Sequence, residues 1–168
     1  MTDLAATLKT HRDAVESFLE TAAAVPPTRW SAPRAPGKWS PAQVADHVAV
    51  AFEANRHLLR PGTSGGGAPR FLRPFLRVFL FNPVLRRGAF IPGSKTPKML
   101  RPADAPPGQD ALLARLRSAA QNFEAEARAL PNTTIDHPFF GRMPLTDFVR
   151  FQEIHTQHHR RQLTPAET

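Results

Sequence analysis

The stretch GKWSPAQVADHVAVAFE, residues 37–53, decides the fold because it contains the clearest helix start in the chain. Ser40 is a good N-cap, the proline after it suits the first helical position, and Gln43 can close a capping box. Apolar residues then recur on the face that carries His47. The pattern predicts a long amphipathic helix that ends near Leu59.

Three further stretches show the apolar periodicity of helices, and no part of the chain is predicted to form a strand. These helices are predicted over residues 2–24, 109–130 and 145–163. Long connections between them suit a bundle better than a solenoid. We therefore expect an all-α four-helix bundle, with a long irregular crossover between helices 2 and 3. The length predicts a single domain over residues 1–168.

The crossover, residues 69–107, is expected to cover one end of the bundle. Its segment FLRPFLRVFLF, residues 71–81, is amphipathic and compatible with a short helix broken near Pro74. Later prolines, beginning with Pro83, are expected to prevent long regular structure. We expect the phenylalanines of this segment to cap the core or to form a dimer interface, and membrane contact is the less favoured alternative.

The formal charge of +8 is unevenly distributed, and this bears on possible partners. No acidic residue lies between Ala54 and Ala103, whereas 10 of the 22 basic residues do. Such a field attracts anionic partners, although a solvated arginine-rich surface is the simpler interpretation. Nucleic acid is a less favoured partner because no known nucleic-acid module is present. The basic residues are Arg56, Arg60, Arg70, Arg73, Arg77, Arg86, Arg87, Lys95, Lys98 and Arg101.

The chain contains no cysteine, which excludes disulfides, thiolate metal sites and a cysteine nucleophile. Histidine and carboxylate remain as the strong metal ligands. The N-terminus does not have the pattern of a signal peptide, and no window approaches the roughly 18 apolar residues of a membrane span. We therefore expect a cytoplasmic protein with no membrane partner.

Three of the seven histidines cluster in EIHTQHHRRQL, residues 153–163. His155 and His159 are four residues apart, so on a helix both imidazoles lie on one face and can reach one ion. His158 points elsewhere and is expected to line the edge of the site or to face solvent. Such a pair is weak evidence alone. His47 strengthens it because a polar group on an inner helix face needs a partner, and a core histidine bonded to a neighbour is the alternative.

Three stretches resemble the DinB-like superfamily. Residues 37–53 resemble its second helix, with a tryptophan, a serine cap and a ligand histidine. Residues 137–163 resemble its last helix with the HxxxH pair, and FIPGSKTPKMLRP, residues 90–102, resembles the crossover of one branch. The resemblance spans residues 37–163. It implies a four-helix bundle, often a homodimer, with a three-histidine site for zinc, nickel or manganese.

Carried over residue by residue, the resemblance assigns His47, His155 and His159 as metal ligands. Characterised members include transferases and isomerases that use mycothiol, bacillithiol or glutathione, which implies a low-molecular-weight thiol cosubstrate. Many other members have no known activity. The other residues that match flanking family positions are Trp39, Arg160 and Gln162.

Three neutral histidines leave coordination positions open, which is the arrangement of a catalytic metal site. An ion there would lower the pKa of bound water or of a cosubstrate thiol. We expect a carboxylate to orient the ligands, and the candidates are Asp46, Glu53 and Glu153. Asp46 adjoins His47 and is expected to point elsewhere. No residue stands out as the general base.

These features predict a metal-dependent thiol transferase or hydrolase that acts on a small electrophile. The alternatives are a non-catalytic bundle and a binding protein whose basic crossover engages an anionic partner. Of the remaining histidines, His11 and His57 are predicted to lie on the surface. His137, with Phe139 and Phe140, is predicted to anchor its loop by packing.

Overall fold

The predicted bundle is confirmed by a computed structural model, which describes residues 3–60, 67–90 and 96–163. The long helices α1, α3, α6 and α7 form the bundle and match the four predicted helices to within a few residues. In chain order the elements are α1 (Leu4–Ala23), α2 (Pro27–Trp30), α3 (Pro41–His57), α4 (Arg73–Leu76), a π-helical turn (Arg77–Phe81), α5 (Asn82–Arg87), a 3-10 turn (Lys98–Leu100), α6 (Gln109–Arg128), β1 (Thr134–His137), β2 (Gly141–Pro144) and α7 (Leu145–Arg160).

Helix α3 begins with the predicted capping box. The backbone N–H of Gln43 donates to Ser40 Oγ at 3.2 Å, and the backbone N–H of Ser40 donates to Gln43 Oε1 at 3.1 Å. Both orphan donors of the helix start are thereby satisfied. Along the helix that follows, Val44, His47 and Val48 are all buried.

The core lies between the four long helices, where α1 packs against α6 and α7, and α3 packs against α6. Full burial of one large apolar side chain in this core stabilises the fold by about 1.5–3 kcal/mol. The described part of the chain contains no helix long and apolar enough to cross a membrane. The largest fully buried rings are Phe18, Phe52, Phe81, Phe123 and Phe148.

The prediction that no part of the chain forms a strand is wrong. Strands β1 and β2 form an antiparallel hairpin between α6 and α7, with His137 opposite Gly141. Ile135 and Met143 are paired across the hairpin and both are buried. Each strand has only four residues, so too few positions alternate for the period to be read.

The crossover is more regular than predicted. A continuous helical stretch, the crossover helix (residues 73–87), begins at Arg73, so Pro74 lies in its first turn and does not break it. The helix then continues past Pro83 because it widens into a π turn, in which the backbone N–H of Asn82 bonds to the carbonyl of Arg77. A π turn accommodates Pro83, whose ring in a regular α-helix would clash with the carbonyl four residues earlier.

His11 is buried, which corrects its predicted surface position, whereas His57 is exposed as predicted. The His11 ring packs edge-on against Phe52 at 5.4 Å and lies 5.5 Å from Phe123. Among the described residues, neither of its ring nitrogens has a hydrogen-bond partner. Burial lowers the pKa of His11 to about 4.

The buried His11 predicts a stability loss in acid. Because its folded pKa is about 4 and its usual value is 6.5, the unfolded chain binds more protons between these values. The free energy of unfolding should therefore fall as pH drops from 6.5 towards 4, with His11 contributing about 3 kcal/mol. The variant His11→Leu should lose this part of the decline. Urea unfolding of both proteins across this range measures the difference, and parallel profiles would contradict the prediction.

Candidate metal centre

Three histidines on two bundle helices meet at one point. His47 on α3 and the pair His155 and His159 on α7 turn their Nε2 atoms toward one another. The Nε2 of His155 lies 3.1 Å from the Nε2 of His47 and 3.1 Å from the Nε2 of His159. The three ligand atoms all lie within 4.8 Å of one another. The structure thus brings together every histidine that the sequence placed in one site.

Hydrogen bonds on the outer nitrogens orient two of these rings. His47 Nδ1 lies 2.6 Å from the backbone carbonyl of Leu100, to which it donates. His159 Nδ1 lies 3.0 Å from the side-chain carbonyl of Gln162 and donates to it. A neutral imidazole carries one proton, so both Nε2 atoms are left as acceptors that face the centre.

The surroundings favour neutral imidazoles. Burial lowers the pKa of His47 below its usual value. Burial and the neighbouring imidazoles hold the pKa values of His155 and His159 well below theirs. Near neutral pH the three rings are therefore uncharged, which is the protonation state that a metal ligand needs.

The donor set fits a divalent ion. Three nitrogens at about 2.1 Å from one ion would stand about 3.0–3.4 Å apart in octahedral or tetrahedral geometry. The two Nε2 distances of 3.1 Å fall in this range. Two acceptor nitrogens at this distance repel each other electrostatically unless a proton or a cation lies between them. An ion would satisfy all three at once, whereas one proton on His155 would satisfy a single pair.

A cavity of about 850 Å³ opens beside the three histidines, and all of them line it. The Trp39 ring lies 4.9 Å from the His47 ring and 6.3 Å from that of His159. On the other side, Phe90 of the crossover lies 5.5 Å from His155. Aromatic walls therefore enclose the centre on two sides and leave its open face to the cavity.

The expected carboxylate partner is absent from the described surroundings of the ligands, since the carbonyl of Leu100 and the amide of Gln162 orient them instead. Asp46 points elsewhere, as predicted, and accepts from the backbone N–H of Ala103 at 2.7 Å and from Arg115 at 2.6 Å. Arg115 also pairs with Glu53 at 2.7 Å. On α7, the carboxylate of Glu153 accepts from Gln157 at 3.0 Å.

Histidines outside the triad have other roles. His158 lines the cavity, where its Nε2 accepts from Gln162 at 3.0 Å. His137 both anchors its loop and lines the cavity, because its ring stacks on Phe140 at 4.8 Å. Burial, with a smaller contribution from Arg73, lowers the pKa of His137 to about 4.

Sequence reasoning missed the roles of Leu100 and Phe90 in the site. Leu100 acts through its backbone carbonyl, which no side-chain pattern reveals. Phe90 reaches the site only because the crossover folds back over α7. The one signal for either was the likeness of residues 90–102 to a family crossover, of which residues 91–95 lie outside the described part of the chain. Arg160, a matched flanking residue, donates to Ser17 Oγ and ties α7 to α1.

A helical bundle with three inward-facing histidines at one end is the class of protein that this fold and site define. Comparison with known families then identifies it: residues 7–163 match the DinB superfamily, and the chain belongs to that family. The chain is also similar to a solved four-helix bundle protein, TT2238, at 24% identity and a TM-score of 0.53, over 95% of this chain and 96% of the other. This likeness supports the fold alone. No curated protein matches the chain.

The role of Gln162 as an orienting residue is testable. The variant Gln162→Leu removes the acceptor of the His159 Nδ1 proton and should weaken divalent-metal binding by roughly 10–100-fold. Competition with a chromophoric chelator, using zinc, nickel and manganese in turn, measures the affinity. The matched control is Gln157→Leu on α7, five residues before Gln162, whose side chain bonds to Glu153 and not to a ligand. Equal affinities in the two variants would contradict the assignment.

Proposed function

We propose that this protein is a divalent-metal-dependent enzyme of the thiol transferase or hydrolase type, with His47, His155 and His159 as the metal ligands. The observation that carries the proposal is the convergence of three neutral Nε2 atoms, two of them 3.1 Å from the third, on a large cavity. A purely structural zinc site would have four protein ligands. Three ligands facing a cavity leave room for a reactant.

The metal supplies one kind of chemistry when bound: as a Lewis acid it makes a nucleophile of water or a small thiol near neutral pH. This chain has no cysteine, so a thiol nucleophile must be a separate small molecule. The cavity of about 850 Å³ has space for both a thiol and an electrophile.

The chain's own residues bind, orient and shield the reactants. Gln162 and the Leu100 carbonyl hold two imidazoles with their Nε2 atoms inward. Trp39 and Phe90 exclude water from the sides of the centre. Arg34 and Lys38 line the same cavity, and among the described lining residues none is acidic. The cavity therefore favours a reactant with negative charge, such as a thiolate or a carboxylate-bearing cosubstrate.

The variant His155→Ala provides the sharpest test of the ligand assignment. The purified protein should contain about one divalent ion per chain, and this variant should lose it, because only two ligands remain. Elemental analysis by mass spectrometry measures the content. The control is Gln157→Ala, which changes a residue on the same helix as His155 that bonds to Glu153 and does not line the cavity. The proposal would be wrong if the folded wild-type protein bound no stoichiometric metal in the presence of saturating divalent ion.

The reaction class needs its own measurement. The metal-loaded protein should consume a low-molecular-weight thiol in the presence of an electrophile, or hydrolyse the electrophile without it. Mycothiol, bacillithiol and glutathione should be tested in turn against a panel of alkyl halides, epoxides and activated esters. His155→Ala should abolish the rate while Gln157→Ala, outside the cavity lining, retains it. Full metal content with no turnover of any pair would favour the non-catalytic alternative.

A further inference from the structure

The crossover helix leaves one face uncovered by the described residues. Phe71, Phe75 and Phe79 are 74%, 63% and 65% exposed. The rings of Phe75 and Phe79 stack on each other at 6.4 Å. We call this surface the aromatic face (residues 71–80). The other exposed apolar residues within it are Leu72, Val78 and Leu80.

Exposed aromatic side chains in a contiguous patch are costly in water and mark a docking surface. The predicted alternative, that these phenylalanines cap the core, holds only for Phe81, which is fully buried. The opposite side of the helix faces the cavity, which Leu76 and Val84 line. Leu80 lies at the boundary, since it lines the cavity and is also 43% exposed. Packing among the residues that the structure describes therefore does not explain the aromatic face.

Positive charge surrounds the aromatic face. Arg70, Arg86 and Arg87 are exposed near its two ends, and no acidic residue lies between Ala54 and Ala103. Two other arginines of the helix are engaged with the hairpin: Arg73 lies 3.6 Å from Asp136, and Arg77 donates to the carbonyl of Arg142. These contacts fix the helix on the bundle and leave the exposed arginines for a partner.

We propose that the aromatic face docks on an anionic lipid surface. An interfacial helix needs bulky apolar side chains that enter the headgroup boundary and cations that meet the lipid phosphates. The crossover helix has both, and it lies parallel to a surface rather than across one because only one of its faces is exposed. This departs from the expectation of no membrane partner, which rested on the lack of a spanning segment.

The positive charge around the aromatic face favours an anionic lipid surface over a second copy of the chain as its partner. A two-fold contact sets the same patch against itself, so the exposed arginines at the ends of one patch, Arg70, Arg86 and Arg87, would approach those of the other. Residues 54–103 contain no acidic side chain that would offset this repulsion. An anionic lipid surface supplies the missing negative charge. The predicted homodimer, if it forms through this face, would be an opposing outcome of the test below.

The proposed docking does not depend on the metal centre, although the helix that carries the aromatic face also lines the cavity beside that centre. The same helix presents the aromatic face on one side and a wall of the cavity on the other. Docking would place that wall one helix diameter, roughly 10 Å, from the lipid surface. A reactant that partitions into the membrane would then have a short path to the cavity.

Vesicle flotation tests the proposal with the full-length protein. It should float with vesicles of phosphatidylcholine mixed with phosphatidylglycerol and not with phosphatidylcholine alone. Raising the salt from about 0.1 M to about 1 M shortens the Debye length from about 10 Å to about 3 Å and should release it. The double variant Phe75→Ser, Phe79→Ser should bind at least roughly tenfold more weakly, because it removes both stacked rings.

A second pair of variants isolates the charge. Arg86→Gln with Arg87→Gln should weaken partitioning by an order of magnitude or more, at about fivefold for each cation. Lys9→Gln with Arg29→Gln removes the same charge from exposed positions on α1 and α2 and should leave binding largely unchanged. All variants change exposed side chains, and thermal unfolding followed by circular dichroism verifies that each folds.

Three results would overturn the proposal. The first is absence of flotation of the wild-type protein with the anionic vesicles. The second is binding that survives the phenylalanine variant, since it would mark a charge-only site for any polyanion, nucleic acid included. The third is a wild-type dimer in sedimentation velocity that the phenylalanine variant converts to a monomer, without vesicle binding. That result would assign the aromatic face to a second copy.

Discussion

The hydrogen bonds on the outer nitrogens of His47 and His159 determine what the centre can hold. Each ring donates its single proton away from the site, to the carbonyl of Leu100 at 2.6 Å and to the amide oxygen of Gln162 at 3.0 Å. Two buried acceptors are then fixed beside the Nε2 of His155. Without those bonds each imidazole could turn its protonated nitrogen inward and satisfy a neighbour. With them, a cation is the partner that suits all three atoms.

The Leu100 bond also makes the site depend on the crossover. A second contact holds the same stretch of chain, since Asp46, buried beside His47, accepts from the backbone N–H of Ala103 at 2.7 Å. Arg115 of α6 bonds to that carboxylate at 2.6 Å and is partly buried itself. Hydrogen bonds through Asp46 thus link α6 and the crossover to α3, and the crossover in turn orients the ligand His47. The orientation of His47 therefore depends on contacts among three parts of the chain.

The sequence predicted what is encoded locally and missed what depends on tertiary approach. Ser40 and Gln43 cap α3 through contacts three residues apart, and the spacing of His155 and His159 fixes their shared face. His11 is the instructive error: it follows Leu8 by three residues and precedes Val15 by four, on the buried stripe of α1. Its position indicated burial, but its polarity suggested the surface. Leu100 and Phe90 were beyond prediction because their roles arise only where the crossover meets α3 and α7.

Charge gives the cavity a consistent chemical character. Three neutral imidazoles leave the full charge of a divalent ion uncompensated, and among the described residues that line the cavity no carboxylate reduces it. Arg34 and Lys38 add to the positive field. If the centre holds a divalent ion, this field would favour an anionic ligand there over a neutral one.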